Sequence, residues 1–352
     1  MSLDESDAYR GTTAPQHEFD RGRLSAWLGD HVKDFAGNLS VAQFRGGQSN
    51  PTYKLTTPTR SFVLRRKPPG QLLPMAHAID REFRVLRALA GTGMPVPRVH
   101  ALCEDDGIIG SAFYVMDFVE GRIFWDQRLP GMTWPERAAI FDSMNDTIAR
   151  LHGVDPIAVG LEGYGRVGNY MARQISRWTK QYRASETQAI AAMDRLIDWL
   201  PAHLPPEGET RIVHGDFRMD NLIFHPTEPR VVAVLDWELS TLGDPIADFA
   251  YHLMAWRIAP ELFRGLAGID FAGLGIPDEA AYVAAYCRRT GRASVPDRDY
   301  YIVFNLFRIA AILQGIAKRA VEGTAANANA VEVGRRAGPL AEQAWALAET
   351  IG

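Results

Sequence analysis

One stretch constrains the fold more than any other: HGDFRMDNLIF, His214 to Phe224, with VVAVLDWE, Val231 to Glu238, close behind it. Apolar residues (RIV) lead in and apolar residues (LIF) lead out, yet Asp216, Asp220 and Asn221 lie between, where a core strand would otherwise continue. Two short β-type runs joined in this way make a ribbon, with Asp216 and Asn221 on one connection and Asp236 at the end of the next strand. One carboxylate to orient a hydroxyl, plus an Asn and a second carboxylate offering oxygens to Mg2+, is the minimum set for phosphoryl transfer. The competing reading is a polar turn whose Asp and Asn side chains cap backbone N–H groups.

The remainder of the chain frames that ribbon. A leader over residues 1–38 contains one helical pattern, FDRGRLSAWLGDHV. LSVAQF, PTYKLTT and SFVLRRK are rich in β-branched and aromatic residues and are separated by turn signals, so they read as three antiparallel strands. AIDREFRVLRALAGTG follows as an amphipathic helix stopped by Gly91, and RVHALCED and SAFYVMDFV are two further strands. From WPERAAIFDSMNDTIARLHGV onward the pattern is mainly helical, with PAHLPPEGE as a Pro-rich loop. The expectation is an α+β chain with a small antiparallel-sheet lobe over 39–120. It joins near Phe118 a larger, mainly helical lobe over 121–352 that carries the catalytic loop and metal site, with a cleft between the lobes.

Composition narrows the function classes. A length of 352 residues suits a two-lobed unit, and a net charge of -4 exerts no global pull toward nucleic acid or membrane. No run in the chain reads as a membrane span of about 18 apolar residues, and the polar, acidic start lacks a signal-peptide pattern, so a cytoplasmic location is expected. Cys103 and Cys287 stand apart from each other and from any zinc spacing and read as packed thiols. GYGRVG, Gly163 to Gly168, satisfies G-x-G-x-x-G but follows a helix end and a Pro/Gly loop instead of a hydrophobic strand, which excludes a dinucleotide site.

HGDFRMDN resembles the catalytic-loop signature of the aminoglycoside phosphotransferase-like family, relatives of the protein kinases, and LDWE is similar to their metal-binding segment. The resemblance runs from about Leu39 to the last helices and implies a two-lobed protein-kinase-like fold using ATP and Mg2+. It implies Asp216 as the base, Asn221 and Asp236 as Mg2+ ligands, and Gly46, Gly47, Ser49 and Asn50 of GGQSN as the loop over the ATP phosphates. Arg65 of FVLR stands where a Lys usually grips the α- and β-phosphates, and Glu82 matches the helix carboxylate that pairs with it. An Arg here is a departure, since a guanidinium is a planar fork and an ammonium a point charge. Lys67, of the same strand parity, is the competing cation. Arg218 matches a position that sends a cation to the transferring phosphate; the alternative is a salt bridge to Asp220. Asp248 reads as a cap or as a brace for the HGD loop. In YVMDFV, the backbone of Asp117, Phe118 and Val119 would meet adenine, and Met116 would close the pocket.

The acceptor is addressed by NYMARQISRWTKQYR. As one helix it places Arg173, Arg177 and Lys180 on a single basic stripe, which suits an anionic small-molecule substrate and not a polycationic aminoglycoside. A solvated helix face is the plainer reading. GGQSNPTYKL, FVLRRKPPGQLLPMAHAIDREFRVL and HGDFRMDNLIF are most similar to kinase portions fused to acyl-CoA dehydrogenases and to their free-standing bacterial relatives. That resemblance implies a hydroxyacyl-CoA acceptor, especially a 4-hydroxyacyl-CoA, and a functional link to an acyl-CoA dehydrogenase. A kinase of an aminoglycoside or other hydroxylated metabolite, and a pseudokinase-like module holding nucleotide or CoA, are the alternatives. A protein kinase lacks support, because no A-P-E segment follows LDWE.

Overall fold

The computed structural model describes residues 11–15, 19–45, 50–68, 78–323 and 329–351. Its strands are β1 (Thr12–Thr13), β2 (Ser40–Phe44), β3 (Thr52–Thr56), β4 (Ser61–Arg66), β5 (Val99–Cys103), β6 (Phe113–Asp117), β7 (Arg211–Val213), β8 (Leu222–Phe224), β9 (Val231–Val234) and β10 (Thr241–Gly243). Helices of two turns or more are α1 (Arg21–His31), α2 (Ile79–Leu89), α3 (Trp134–Gly153), α4 (Tyr170–Ser185), α5 (Ala191–Ala202), α6 (Pro245–Leu253), α7 (Glu279–Thr290), α8 (Arg298–Val321) and α9 (Ala337–Ile351).

The described residues form two compact units. One runs to Asp126 and also holds Val159–Leu161 and Met219–Ser240; the other holds Gln127–Ala158, Glu162–Arg218 and the chain from Thr241 onward. The first unit therefore ends beyond residue 120 and takes back the segment from Met219 through LDWELS. Hydrogen bonding is the cause. β8 and β9 pair antiparallel, Phe224 and Arg122 exchange both backbone bonds at 2.8 Å, and Val234 N donates to Pro95 O at 2.8 Å. A side chain at residue 121 would collide with the Phe224 carbonyl and Ile223, so glycine permits this approach.

The sheet of the first unit is antiparallel, in the order β1-β2-β3-β4-β6-β5. The two-residue strand β1, inside the segment read as a leader, pairs with the end of β2. In β4, period-two alternation sends Phe62 and Leu64 into a core shared with Leu24 and Leu28 of α1, Tyr53, Leu55, Phe113 and Val115. Val63 and Arg65 take the opposite face. α2 buries Ile79, Glu82, Val85, Leu86 and Leu89. A carboxylate thus lies on the inward stripe, three residues on from Ile79, and Gly91 at φ 95° follows the helix end.

The second unit is built around α8, which is buried on every side from Tyr300 to Ala311 and packs against α4, α6 and α9. By length and composition this helix could cross a membrane, with a mean hydropathy of 1.5 over its most apolar window, but 83% of that window is buried inside the protein. The sequence expectation that no run comes near that threshold is corrected here: a helix apolar all round is what the centre of a helical unit requires. α5 was not expected and takes Pro201 and Ala202 from the reading of PAHLPPEGE as loop. α3 opens with a capping box between Thr133 and Glu136. β7 and β10 pair antiparallel, and Gly165 of GYGRVG lies so close to Thr241 and Leu242 that a Cβ would not fit. Cys103 and Cys287 are free and buried.

Candidate active site

In the first unit the site is organised by Arg65. Its position on β4 faces α2, and Arg65 Nε lies 3.0 Å from Glu82 Oε2. Its Nη2 lies 2.8 Å from Asp236 Oδ1 and 3.4 Å from Glu238 Oε2. Glu82, almost fully buried, also accepts from Tyr114 Oη at 2.9 Å and from Asn50 Nδ2 at 3.2 Å. Burial is the largest influence on the Glu82 carboxyl and pushes it above the ordinary range, with Arg65 pulling the other way. For Arg65 burial is again the largest influence and opposes the charge, but Glu82 and Asp236 outweigh it and raise the guanidinium pKa. Lys67 is placed differently: its backbone N donates to Ala112 O at 3.0 Å, and its carbonyl accepts from Ser111 Oγ at 2.8 Å.

Asn221 and Asp236 meet at the end of the β8–β9 ribbon, where Leu235 N donates to Asn221 O at 2.8 Å. Asp236 adopts φ 64° and ψ 59°, the left-handed region that non-glycine residues seldom occupy. Such an outlier is stored where the surroundings over-determine it, often beside a ligand. One carboxylate and one amide oxygen on adjoining strand ends are a donor set of the kind Mg2+ accepts, since that ion retains most of its waters. Oxygens of Glu82, Asp236 and Glu238 also lie within 4.8 Å of one another. Arg65 forms ion pairs with all three and supplies the positive charge there.

The expected hinge follows β6. Met116 is buried, and Asp117 Oδ1 is fixed by Arg60 Nη2 at 2.6 Å and His100 Nε2 at 2.7 Å. The Phe118 ring stacks on Phe44 with centroids 6.5 Å apart and carries Lys54 Nζ at 4.1 Å. Val119 is half-buried. Of the phosphate-loop residues only Asn50 is described; Gly46, Gly47 and Ser49 lie outside the described residues.

Asp216 and Arg218 belong to the second unit. Asp248 braces their loop, accepting from His214 N at 2.8 Å and Gly215 N at 2.7 Å, with His152 Nε2 at 3.2 Å. Burial is the largest influence on Asp248 and would raise its carboxyl, but the hydrogen bond and charge of His152, with the donors at His214, hold it below the ordinary value. The cap of α6 is instead Asp244, which accepts from Ile246 N at 2.8 Å. Asp216 Oδ1 accepts a hydrogen bond from Tyr251 Oη and lies 3.1 Å from Arg218 Nε.

Arg173, Arg177 and Lys180 fall on α4. Arg173 Nη2 donates to Arg166 O at 2.7 Å, the Arg177 guanidinium lies 5.3 Å from the centroid of Trp178, and Lys180 is exposed. Desolvation first, then the charge of Arg308, lowers the Arg177 pKa. Sequence reasoning missed Tyr114, Glu238, Tyr251 and Arg308. Glu238, in the quoted LDWE, and Arg308, a lone charge inside an apolar helix, carried a signal; the tyrosines did not.

A profile of the Phosphotransferase enzyme family matches residues 40–299, and the chain belongs to that family: it is a small-molecule phosphotransferase of protein-kinase-like fold. A crystal structure of an aminoglycoside phosphotransferase-like protein from Ralstonia eutropha JMP134 is 58% identical with a TM-score of 0.87, and the match covers 95% of this chain and 99% of that one. Acyl-CoA dehydrogenase family member 10 of Mus musculus is 48% identical over 331 residues, which is 94% of this chain and 31% of that protein. Acyl-CoA dehydrogenase family member 11 of Rattus norvegicus is 43% identical over 349 residues, 96% of this chain and 44% of that protein. The chain thus spans less than half the length of these two curated relatives.

Proposed function

We propose that the chain transfers the γ-phosphoryl group of ATP to the hydroxyl of a hydroxyacyl-CoA, with a 4-hydroxyacyl-CoA as the leading acceptor. The observation that carries the nucleotide half is Arg65, a nearly buried cation pinned at 3.0 Å by Glu82 and sharing Asp236. A cation held this way on a strand is prepaid in orientation and can meet phosphate oxygens as a bidentate fork. Asn221 and Asp236 would hold Mg2+, which when bound supplies charge neutralisation at the β- and γ-phosphates. The backbone of Asp117 to Val119 receives the adenine edge, Met116 backs it, and the Gly46–Asn50 loop covers the phosphates.

Asp216 takes the acceptor's proton as the acceptor oxygen bonds to the γ-phosphorus and the bond from that phosphorus to the bridging oxygen breaks, so that ADP leaves, and Arg218 neutralises charge on the transferring group. An anionic acceptor is supported by the basic helix α4 and by relatives named for acyl-CoA dehydrogenases. The Arg173, Arg177 and Lys180 side chains would meet the CoA phosphates, and the product would pass to an acyl-CoA dehydrogenase.

ATP turnover against a panel of hydroxyacyl-CoAs, free hydroxy acids and aminoglycosides tests this reading. Turnover with aminoglycosides alone would sink the acyl-CoA acceptor, and nucleotide binding without turnover on any hydroxyl would make the chain a binding module. Asp216→Asn should keep ATP affinity while lowering transfer by about 10²- to 10⁴-fold, the usual worth of a general base. Unchanged turnover in that variant removes Asp216 from the role.

A further inference from the structure

The HGD loop is contacted by two side chains that the phosphoryl-transfer chemistry leaves unused. Tyr251, on α6, is buried and donates its phenol O–H to Asp216 Oδ1. Arg308, on α8, donates Nη2 to the Gly215 carbonyl at 2.5 Å. The Arg308 guanidinium lies 4.8 Å from the Tyr251 ring centroid and 5.1 Å from that of Trp178. Among the described residues no carboxylate lies at ion-pair distance from Arg308. Two aromatic faces and a backbone carbonyl offset its charge, an arrangement that favours a planar guanidinium over an ammonium.

The geometry suggests one linked unit. Arg308 fixes the backbone immediately before Asp216 and also lies against the ring whose hydroxyl holds the Asp216 carboxylate. Arg218 Nε reaches the same oxygen, Oδ1, at 3.1 Å. The Tyr251 hydrogen bond and the charge of Arg218 thus act on one oxygen, and together they restrict the rotation of the carboxylate about its Cβ–Cγ bond more than the ion pair alone would. We propose that Tyr251 and Arg308 are positioning residues for the Asp216 carboxylate, setting the direction from which it meets the acceptor hydroxyl. The proposal rests on the reading of Asp216 as the base. Neither side chain is assigned a contact with substrate, so their effect is on geometry at the reacting oxygen.

The test is a double-mutant cycle in the full chain, with 4-hydroxypentanoyl-CoA as acceptor and acceptor-free ATP hydrolysis as a second probe, since water is also a hydroxyl acceptor. Tyr251→Phe keeps the ring beneath Arg308 and removes only the O–H. It should lower kcat on the order of 10- to 100-fold with KM for ATP unchanged. Arg308→Ala should do the same, and Arg308→Lys should recover only part of the loss.

In an Asp216→Asn background, Tyr251→Phe should cost nothing further, because the group it positions no longer acts as a base. An equal loss in both backgrounds, or a loss expressed in KM for ATP, overturns the positioning role. Normal turnover by Asp216→Asn alone would instead defeat the base reading. A crystal structure of the Tyr251→Phe variant decides the matter independently of any acceptor: an unmoved Asp216 carboxylate overturns the proposal, and a rotated one supports it.

Discussion

Removing the Glu82 carboxylate should destabilise the first unit by about 5 kcal/mol, and the figure can be built from its ion-pair partner Arg65 and its two hydrogen-bond donors, Tyr114 and Asn50. Glu82 and Arg65 are 1% and 12% exposed, so Glu82→Ala leaves a nearly buried guanidinium short of its nearest partner. Breaking a buried pair in this way costs about 3–5 kcal/mol. Arg65 keeps Asp236 and Glu238, but those side chains are 35% and 25% exposed and solvent screens them, which places the charge term near the lower bound, about 3 kcal/mol. Tyr114 Oη and Asn50 Nδ2 lose the same acceptor, at about 1 kcal/mol each. Equilibrium urea unfolding of Glu82→Ala measures the sum. The variant Arg65→Met/Glu82→Leu should recover most of the lost stability, because an apolar pair of similar volume replaces a buried ion pair at little cost. It should nonetheless lose ATP turnover, which separates fold from function in one pair of positions. A loss below about 1 kcal/mol for Glu82→Ala, or a double variant as unstable as the single, would refute the view that burial of this charge pair sets its energetics.

Two further outcomes follow from packing and titration. Burial, the largest influence, lowers the His252 pKa from 6.5 to about 4. Between those values the unfolded chain binds more protons than the folded one, so stability is complete above pH 6.5 and falls by about 3 kcal/mol as pH drops to 4; urea melts across that window should show the slope, and His252→Gln should reduce it. Gly121→Ala puts a methyl group against the Phe224 carbonyl and Ile223 and should cost about 1–3 kcal/mol by overpacking. An unchanged melt for that variant would mean that the β8–β9 ribbon can shift without penalty.

The sheet of the first unit was legible because each of its longer strands announces itself locally. β3 and β4 show the period-two alternation and are bounded by turn residues, and α2 shows the 3.6 period with a glycine behind it. Glu82 was legible only through family resemblance, since a periodicity argument alone assigns a carboxylate to the solvent side. The return of Met219–Ser240 to the first unit was not legible. It depends on backbone bonds from Phe224 to Arg122 and from Val234 to Pro95, pairings about a hundred residues or more apart that no local pattern encodes. The buried helix α8 shows the opposite difficulty: its uniform apolarity hides which face meets which neighbour, so Arg308 read only as an interruption.

The HGD loop shows why the strand signal around Asp216 is so short. β7 ends at Val213, and the next two backbone donors, His214 N and Gly215 N, go to the Asp248 carboxylate and not to a neighbouring strand. The Gly215 carbonyl goes to Arg308. A ladder would have fixed this backbone with main-chain partners and left Asp216 alternating with its neighbours across a pleat. Buried side chains from α6 and α8 fix it instead, with α3 supplying His152 behind Asp248, which frees the Asp216 carboxylate from the period of a sheet. The acids that seemed misplaced between two apolar runs are therefore where the ladder has to stop, and the charges that replace it come from helices that a reading of the loop alone could not connect to it.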